Sequence, residues 1–255
     1  MCGIFCSLGT GPHQQVPEDI LEKLRCRGPD SENTISVERD SQLWHITLCS
    51  SVLSLRGSNI TSQPYQDAES HCILCWNGEA WSIDGESGIE DDTASVHALL
   101  GRTLEDAGRP NCVKDGLTTA KNLANALSRV AGPYAFVFFD QGRGRLYFSR
   151  DFLGRRSLCW RQSSDGGIVL CSVTDGVSTH KWHEVEADGV YFIDITSLTY
   201  APTAPTQQLG AETALYSIAT CVPYSFIGEG SSVGLLLIPR ELGSSCKGRW
   251  SHVSL

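Results

Sequence analysis

The chain has 255 residues, with 20 Lys plus Arg against 29 Asp plus Glu and a formal net charge of −9. This length allows one large domain or two small ones, with a sizeable core that needs no disulfides. The acidic balance argues against a nucleic-acid-binding face, and no apolar run approaches the roughly 20 residues that span a bilayer. We therefore expect neither nucleic acid nor a membrane as a partner.

Strand patterns, rich in β-branched and aromatic residues, and three helical patterns follow one another along the chain. The strands are predicted at 3–8, 33–37, 43–55, 72–77, 134–139, 145–149, 157–161, 167–172 and 189–193. The helices are predicted at 17–24, 93–107 and 117–130, the last with Leu123, Leu127 and Val130 on one face. Strands at both ends with helices between them indicate an α+β fold with large antiparallel sheets.

The chain changes character near residue 197, after which Pro, Thr, Ser and Gly separate isolated apolar residues. We therefore predict one domain over 2–196 and a poorly structured tail over 197–255.

Eleven cysteines are an odd number, and the first six residues lack the basic and long apolar stretches of a secretory signal. Reduced thiols and a cytoplasmic location are therefore expected. Cys72 and Cys75 lie three apart in a predicted strand, where they face opposite sides. No second such pair occurs, so we predict no metal site.

Cys2 is the most informative cysteine. A small residue at position two permits removal of Met1, which would leave the Cys2 thiol and a free α-amine on one residue. Their reference pKa values, about 8.5 for the thiol and about 7.7–8.0 for the amine, let the amine serve as base for the nucleophile. On this residue alone, an ordinary buried cysteine in a first strand is the stronger interpretation.

Three further motifs reverse that balance. Arg27-Gly28-Pro29-Asp30 follows the first helix, Asn77-Gly78-Glu79 follows a strand, and Asp92 begins the next helix. Taken singly they fit a turn, a hairpin end and an N-cap.

Together and in this order the motifs resemble the class II glutamine amidotransferase domain, an N-terminal-nucleophile hydrolase. The form Arg-Gly-Pro-Asp is similar to the asparagine synthetase branch of that family. The matching segments are 2–4, 27–30, 63–64, 77–79, Asp92, 132–136 and 150–154. The resemblance implies a four-layer αββα sandwich.

The resemblance also implies a reaction. Cys2 would attack the side-chain carboxamide of L-glutamine, release ammonia and leave a γ-glutamyl thioester for water to hydrolyse. The Asn77 amide and the Gly78 backbone N–H would stabilise the oxyanion. Asp92 would hold the α-amino group of the substrate.

Three neighbouring charged residues receive supporting roles from the same resemblance. Glu79 would help to orient the substrate or the cysteine amine. Arg27 and Asp30 would shape the site rather than perform chemistry.

One position departs from the family pattern. The family supplies an arginine for the glutamine α-carboxylate where this chain has Val52. Arg56 is nearby, but four residues along a strand correspond to about 13 Å. Arg56 therefore compensates only if the backbone departs from a strand there. Three possibilities stay open. The chain is a glutamine-hydrolysing domain linked to asparagine biosynthesis, a catalytically inactive glutamine-binding or regulatory module on the same fold, or an inert fragment whose hydrophobic surface normally meets a second domain.

The sequence also lacks the Ser-Gly-Gly-x-Asp-Ser phosphate loop of an ATP-dependent synthetase half. We therefore expect no cofactor in this chain, with ATP and Mg belonging to a synthetase domain outside it. An ammonia-accepting synthetase is the expected partner.

Overall fold

The computed structural model describes residues 1–9, 14–39, 42–67, 70–106, 115–163, 167–176, 181–195, 218–223, 233–237 and 251–253. The helices in these ranges are α1 (Glu18–Arg27), α2 (Asp92–Asp106) and α3 (Asp115–Leu127). The first eight strands are β1 (Gly3–Gly9), β2 (Ser31–Arg39), β3 (Gln42–Val52), β4 (Cys72–Gly78), β5 (Ser82–Ile83), β6 (Glu86–Ser87), β7 (Val130–Ala131) and β8 (Tyr134–Asp140). The others are β9 (Arg145–Arg150), β10 (Cys159–Gln162), β11 (Ile168–Cys171), β12 (His183–Glu184), β13 (Gly189–Asp194), β14 (Ile218–Pro223), β15 (Val233–Leu237) and β16 (Ser251–Val253).

Two antiparallel sheets form the centre of the fold. One has the order β12-β10-β11-β1-β3-β2, and the other has the order β16-β15-β14-β13-β9-β8-β4. A small sheet, β6-β5-β7, lies beside them. Nearly all pairings join strands of opposite direction, as the predicted α+β class requires.

Side-chain alternation along β4 shows how the layers stack. Ile73 and Cys75 belong to the apolar core between the two large sheets. Cys72, Leu74 and Trp76 belong to a second core, on the side of α2 and α3. Successive strand residues face opposite sides, so this strand is covered on both faces. The prediction that Cys72 and Cys75 face opposite sides is confirmed.

The outer layers are helical. Val96 and Leu100 of α2 are fully buried in the core that also contains Leu123 of α3. On the other side, Ile20 and Leu24 of α1 pack in a third core with residues of the six-stranded sheet. The order is helix, sheet, sheet, helix, which confirms the predicted four-layer αββα sandwich.

Two predicted elements differ from the structure. The strand predicted over 43–55 ends at Val52, because its partner β2 begins at Ser31, directly opposite Val52. Val130 was predicted on the face of a helix, but α3 ends at Leu127 and Val130 pairs with Ile83 in the small sheet. In both places a tertiary partner, rather than local pattern, fixes the boundary.

The range 197–255 contains the strands β14, β15 and β16, which form one end of the seven-stranded sheet, next to β13. The remainder of that range lies outside the described residues. The division into a domain over 2–196 and a poorly structured tail over 197–255 stays a prediction. No helix in the described ranges is both long and apolar enough to cross a membrane.

Candidate active site

A cavity of about 190 Å³ opens where β3 and β4 end and α2 begins. Its walls bring together five of the residues predicted from sequence: Cys2, Arg56, Gly78, Glu79 and Asp92. They come from four separate parts of the chain, so the cavity is assembled only by the fold.

Cys2 lies at the entrance to β1, and its side chain is almost fully buried. The Sγ atom lies 3.8 Å from the carbonyl oxygen of Leu53. Burial raises the pKa of the Cys2 thiol, because the thiolate loses its hydration. The thiol is therefore protonated at neutral pH, and it needs a base before it can act as a nucleophile.

Arg27 holds the backbone of Cys2 from the end of α1. Its Nε donates to the Cys2 carbonyl oxygen at 3.1 Å, and its own carbonyl accepts from the Met1 nitrogen at 3.3 Å. Gly28 lets α1 approach β3 closely, since a Cβ there would lie 2.5 Å from the carbonyl carbon of Ser51. Arg27 thus fixes the backbone position of Cys2.

Asp30 does not line the cavity itself but bonds to Val52 and Ser54, which do. Its Oδ2 accepts from the backbone N–H of Ser54 at 2.8 Å, directly after β3. Its own N–H donates to the carbonyl of Val52 at 2.9 Å. These bonds turn the chain away from the sheet edge and into the cavity wall.

The turn after Val52 brings Arg56 into the cavity, where Nη1 donates to the Ala80 carbonyl at 3.0 Å. The 13 Å offset along an extended strand does not arise, because the strand has already ended. Val52 also lines the cavity and offers no donor. A guanidinium is therefore present although the expected position carries valine.

Asn77 and Gly78 end β4. The Asn77 side chain is 1% exposed, and neither of its polar atoms has a hydrogen-bond partner among the described residues. Gly78 admits no side chain, since a Cβ there would lie 2.7 Å from the Trp76 ring and 2.8 Å from the Cβ of Tyr134. Asn77 is not among the residues that line the cavity, although its neighbour Gly78 is. A buried amide with no partner among the described residues is available as a donor to a ligand.

Asp92 is the first residue of α2, but its neighbour Asp91 caps the helix by accepting from the N–H of Ala94 at 3.0 Å. The Asp92 carboxylate turns instead to Trp76 Nε1 at 3.2 Å and to the Ala80 N–H at 3.0 Å. Burial raises the pKa of Asp92, and the two hydrogen bonds oppose the shift. The N-cap alternative for Asp92 is therefore wrong.

Gln63 is a second buried amide, and it is fully paired. Its Nε2 donates to Thr93 Oγ1 at 3.1 Å, and its Oε1 accepts from the Trp76 N–H at 2.7 Å. These bonds tie β4 to the start of α2, which fixes the distance between the strand end and Asp92.

Arg156 is a site residue that sequence reasoning missed. Its Nη2 lies 3.1 Å from Glu79 Oε1, and Glu79 Oε2 lies 3.5 Å from Arg56 Nη2. Arg156 stands 77 positions after Glu79, so no local pattern links the two. The one available signal was its place two positions after the matching segment 150–154.

The stacked sheets between outer helices, with a cysteine directly before the first strand, define an αββα sandwich protein. The chain is similar over residues 51–178 to the glutamine amidotransferase domain family, and it belongs to that family.

Two relatives carry the same name, asparagine synthetase domain-containing protein 1. The chain is 33% identical to the Homo sapiens protein over 204 residues, covering 77% of this chain and 29% of that protein. The Bos taurus protein is 32% identical over 203 residues, with the same shares. The chain thus spans less than a third of the length of these relatives.

A solved structure of the allosteric regulatory enzyme of purine biosynthesis shares the fold, with a TM-score of 0.51 and 19% identity. It covers 76% of this chain and 47% of that one. At that identity the likeness concerns the fold alone.

Proposed function

We propose that this chain hydrolyses L-glutamine to glutamate and ammonia, with Cys2 as the nucleophile once Met1 is removed. The observation that carries the proposal is the cavity in which Cys2, Gly78, Asp92 and Arg56 meet. These groups are a nucleophile, an oxyanion donor, an anchor for an ammonium and an anchor for a carboxylate. An α-amino acid with a reactive side-chain carbonyl suits that set.

The reaction follows from the roles of these groups. The Cys2 sulfur adds to the carboxamide carbon while the Cys2 α-amine accepts the thiol proton. That proton passes to the leaving nitrogen as the carbon–nitrogen bond breaks, which releases ammonia and leaves a thioester. Water then adds to the thioester carbon, the carbon–sulfur bond breaks, and glutamate and the thiol are restored.

The surroundings of the N-terminus support an amine that acts as base. Burial lowers the pKa of the Met1 ammonium; the charge of Cys2 opposes this shift, the positive charges of Arg27 and Arg156 add to it, and Glu79 opposes it more weakly. An amine with a lowered pKa is unprotonated over more of the neutral range. The α-amine of Cys2 would lie deeper among the same charges.

The oxyanion would bind to the Asn77 amide and the Gly78 N–H. The Asn77 amide is buried and unpaired among the described residues, so a donor is available without breaking another bond. Such preorganised donors are worth about 2.7–4 kcal/mol each to the transition state.

The proposal extends to the setting of the reaction. We propose a cytoplasmic location and an ammonia-accepting synthetase partner in asparagine biosynthesis, with ATP and Mg belonging to that partner. The name of the two relatives supports the synthetase link. Eight cysteines in the described ranges are free thiols, which agrees with a reducing compartment.

Three measurements on the purified chain test the proposal. Intact mass establishes whether Met1 is lost, which the mechanism requires. Ammonia and glutamate released from glutamine are then compared with a Cys2→Ala control. Turnover above that control is expected. Calorimetric binding of glutamine without turnover would instead establish the alternative, a catalytically inactive glutamine-binding module.

A further inference from the structure

Glu79 lies between two arginines, and the two contacts are unequal. Arg156 approaches Glu79 at 3.1 Å with its side chain 18% exposed. Arg56 approaches at 3.5 Å with its side chain 31% exposed. A shorter and more buried charge-assisted contact is the stronger one. Glu79 is therefore held chiefly by Arg156, although Arg156 is not among the residues that line the cavity.

The cavity wall carries a surplus of negative charge. Glu79, Glu90, Asp91 and Asp92 line it, against Arg56 as the one basic lining residue in the described part of the chain. A substrate carboxylate entering this wall competes with Glu79 for Arg56, because Glu79 Oε2 lies 3.5 Å from Arg56 Nη2. The contact of Arg156 with Glu79 Oε1 at 3.1 Å draws on the same carboxylate and weakens its hold on Arg56.

Arg156 is also kept in an unfavourable setting. Its Nε atom is buried and has no hydrogen-bond partner in the described ranges. Its backbone is fixed, because its carbonyl accepts from Arg150 Nε at 2.8 Å. A buried donor without a partner lowers stability, so retention of the guanidinium is better explained by its effect on Glu79.

We propose, on the basis of the proposed function, that Arg156 is a positioning residue which holds one oxygen of the Glu79 carboxylate and so keeps the contact of Glu79 with Arg56 long and weak. Arg56 can then exchange this contact for the α-carboxylate of the substrate. Without Arg156, Glu79 pairs more tightly with Arg56 and competes with the substrate for its donors. Arg156 thus acts on substrate affinity, through Glu79, and touches no reacting atom.

The test is a double-mutant cycle on the full chain, with KM and kcat for glutamine as readouts. Arg156→Gln is expected to raise KM about tenfold and to change kcat less than about twofold. In the Glu79→Gln background the same substitution is expected to change KM less than about twofold, because no carboxylate remains to be misplaced. Arg129→Gln is the matched control: it removes one positive charge from an ion pair whose two side chains are about half exposed.

Thermal unfolding establishes that each variant is folded. If Arg156→Gln does not fold, Arg156→Lys takes its place, with an expected KM increase of about threefold that again disappears in the Glu79→Gln background.

The outcomes separate the two proposals. Wild-type turnover with an unchanged KM in the Arg156 variants overturns this inference and leaves the proposed function standing. An equal KM increase in both backgrounds also overturns it, since Arg156 would then act independently of Glu79. If the wild-type protein shows no turnover, the proposal of glutamine hydrolysis is wrong. Calorimetric affinities of the same proteins for glutamine then test whether Arg156 acts on substrate binding through Glu79. Absence of both turnover and binding overturns the two proposals together.

Discussion

Replacing Asn77 by alanine separates a functional amide from a structural one. In the structure the side chain is 1% exposed and neither polar atom has a partner among the described residues. Removing an unpaired buried amide returns about 1–3 kcal/mol of desolvation free energy. The small cavity left behind costs a comparable amount. We therefore expect the free energy of unfolding to change by less than about 1 kcal/mol, a Tm shift within about 4 °C.

Catalysis responds in the opposite way. Loss of one oxyanion donor lowers kcat by a factor of about 10²–10³, equivalent to about 2.7–4 kcal/mol of transition-state stabilisation. Asn77→Ala is therefore expected to be as stable as wild type and nearly inactive. Thermal unfolding and a glutamine-dependent ammonia assay measure the two effects on one preparation.

Gln63→Ala is the matched comparison, since Gln63 is a buried amide with both ends paired. Its removal leaves the Trp76 N–H without its acceptor, and we expect a loss of about 2–4 kcal/mol and a Tm at least about 5 °C lower. The reasoning is refuted if Asn77→Ala is destabilised as strongly as Gln63→Ala, or if it hydrolyses glutamine at the wild-type rate.

Three other predictions address the same site. Burial raises the pKa of Asp92, so its ionisation opposes folding at neutral pH and ceases to do so below about pH 4. At pH 7 the Tm of Asp92→Asn should therefore match or exceed that of the wild type, and the variant should lose glutamine binding. The difference in Tm should vanish in acid. A lower Tm of the variant at pH 7 would contradict this. Iodoacetamide at pH 7.5 should modify exposed Cys26 at least about tenfold faster than buried Cys2, as followed by peptide mass spectrometry, and equal rates would disprove the burial argument. Gly78→Ala should lower the free energy of unfolding by about 1–3 kcal/mol, because the new Cβ overpacks against its neighbours. Gly101→Ala should raise the free energy of unfolding by up to about 1 kcal/mol, because a Cβ there meets nothing within 4 Å. Similar denaturation midpoints for the two variants would be inconsistent with this.

Much of the fold could be predicted from the chain itself. The nine main strands carry β-branched and aromatic runs, and the three helices show apolar residues at helical spacing. Such patterns are local, so one segment at a time reveals them. The end of β3 was missed, because that strand stops where β2 begins and no feature of residues 53–55 themselves marks the boundary.

Part of the candidate site could also be predicted from the sequence. Cys2, Gly78 and Asp92 were recognised through short motifs, and the structure places all three on one cavity. The position of Arg56 could not be predicted from the sequence, because it depends on a hydrogen bond between the Asp30 carboxylate and the backbone of Ser54. That bond joins residues 24 positions apart.

The sequence by itself determined the chain's membership of the glutamine amidotransferase domain family, its layered α+β class and the residues that carry the motifs. Tertiary structure alone decided that Arg56 reaches the cavity, that Asn77 is buried with no partner in the described part of the chain, and that Arg156 pairs with Glu79. The physical reason is the distance along the sequence between the residues that interact. Periodicity and motifs are properties of neighbouring residues, whereas ion pairing and desolvation depend on which distant segments the packed sheets bring together.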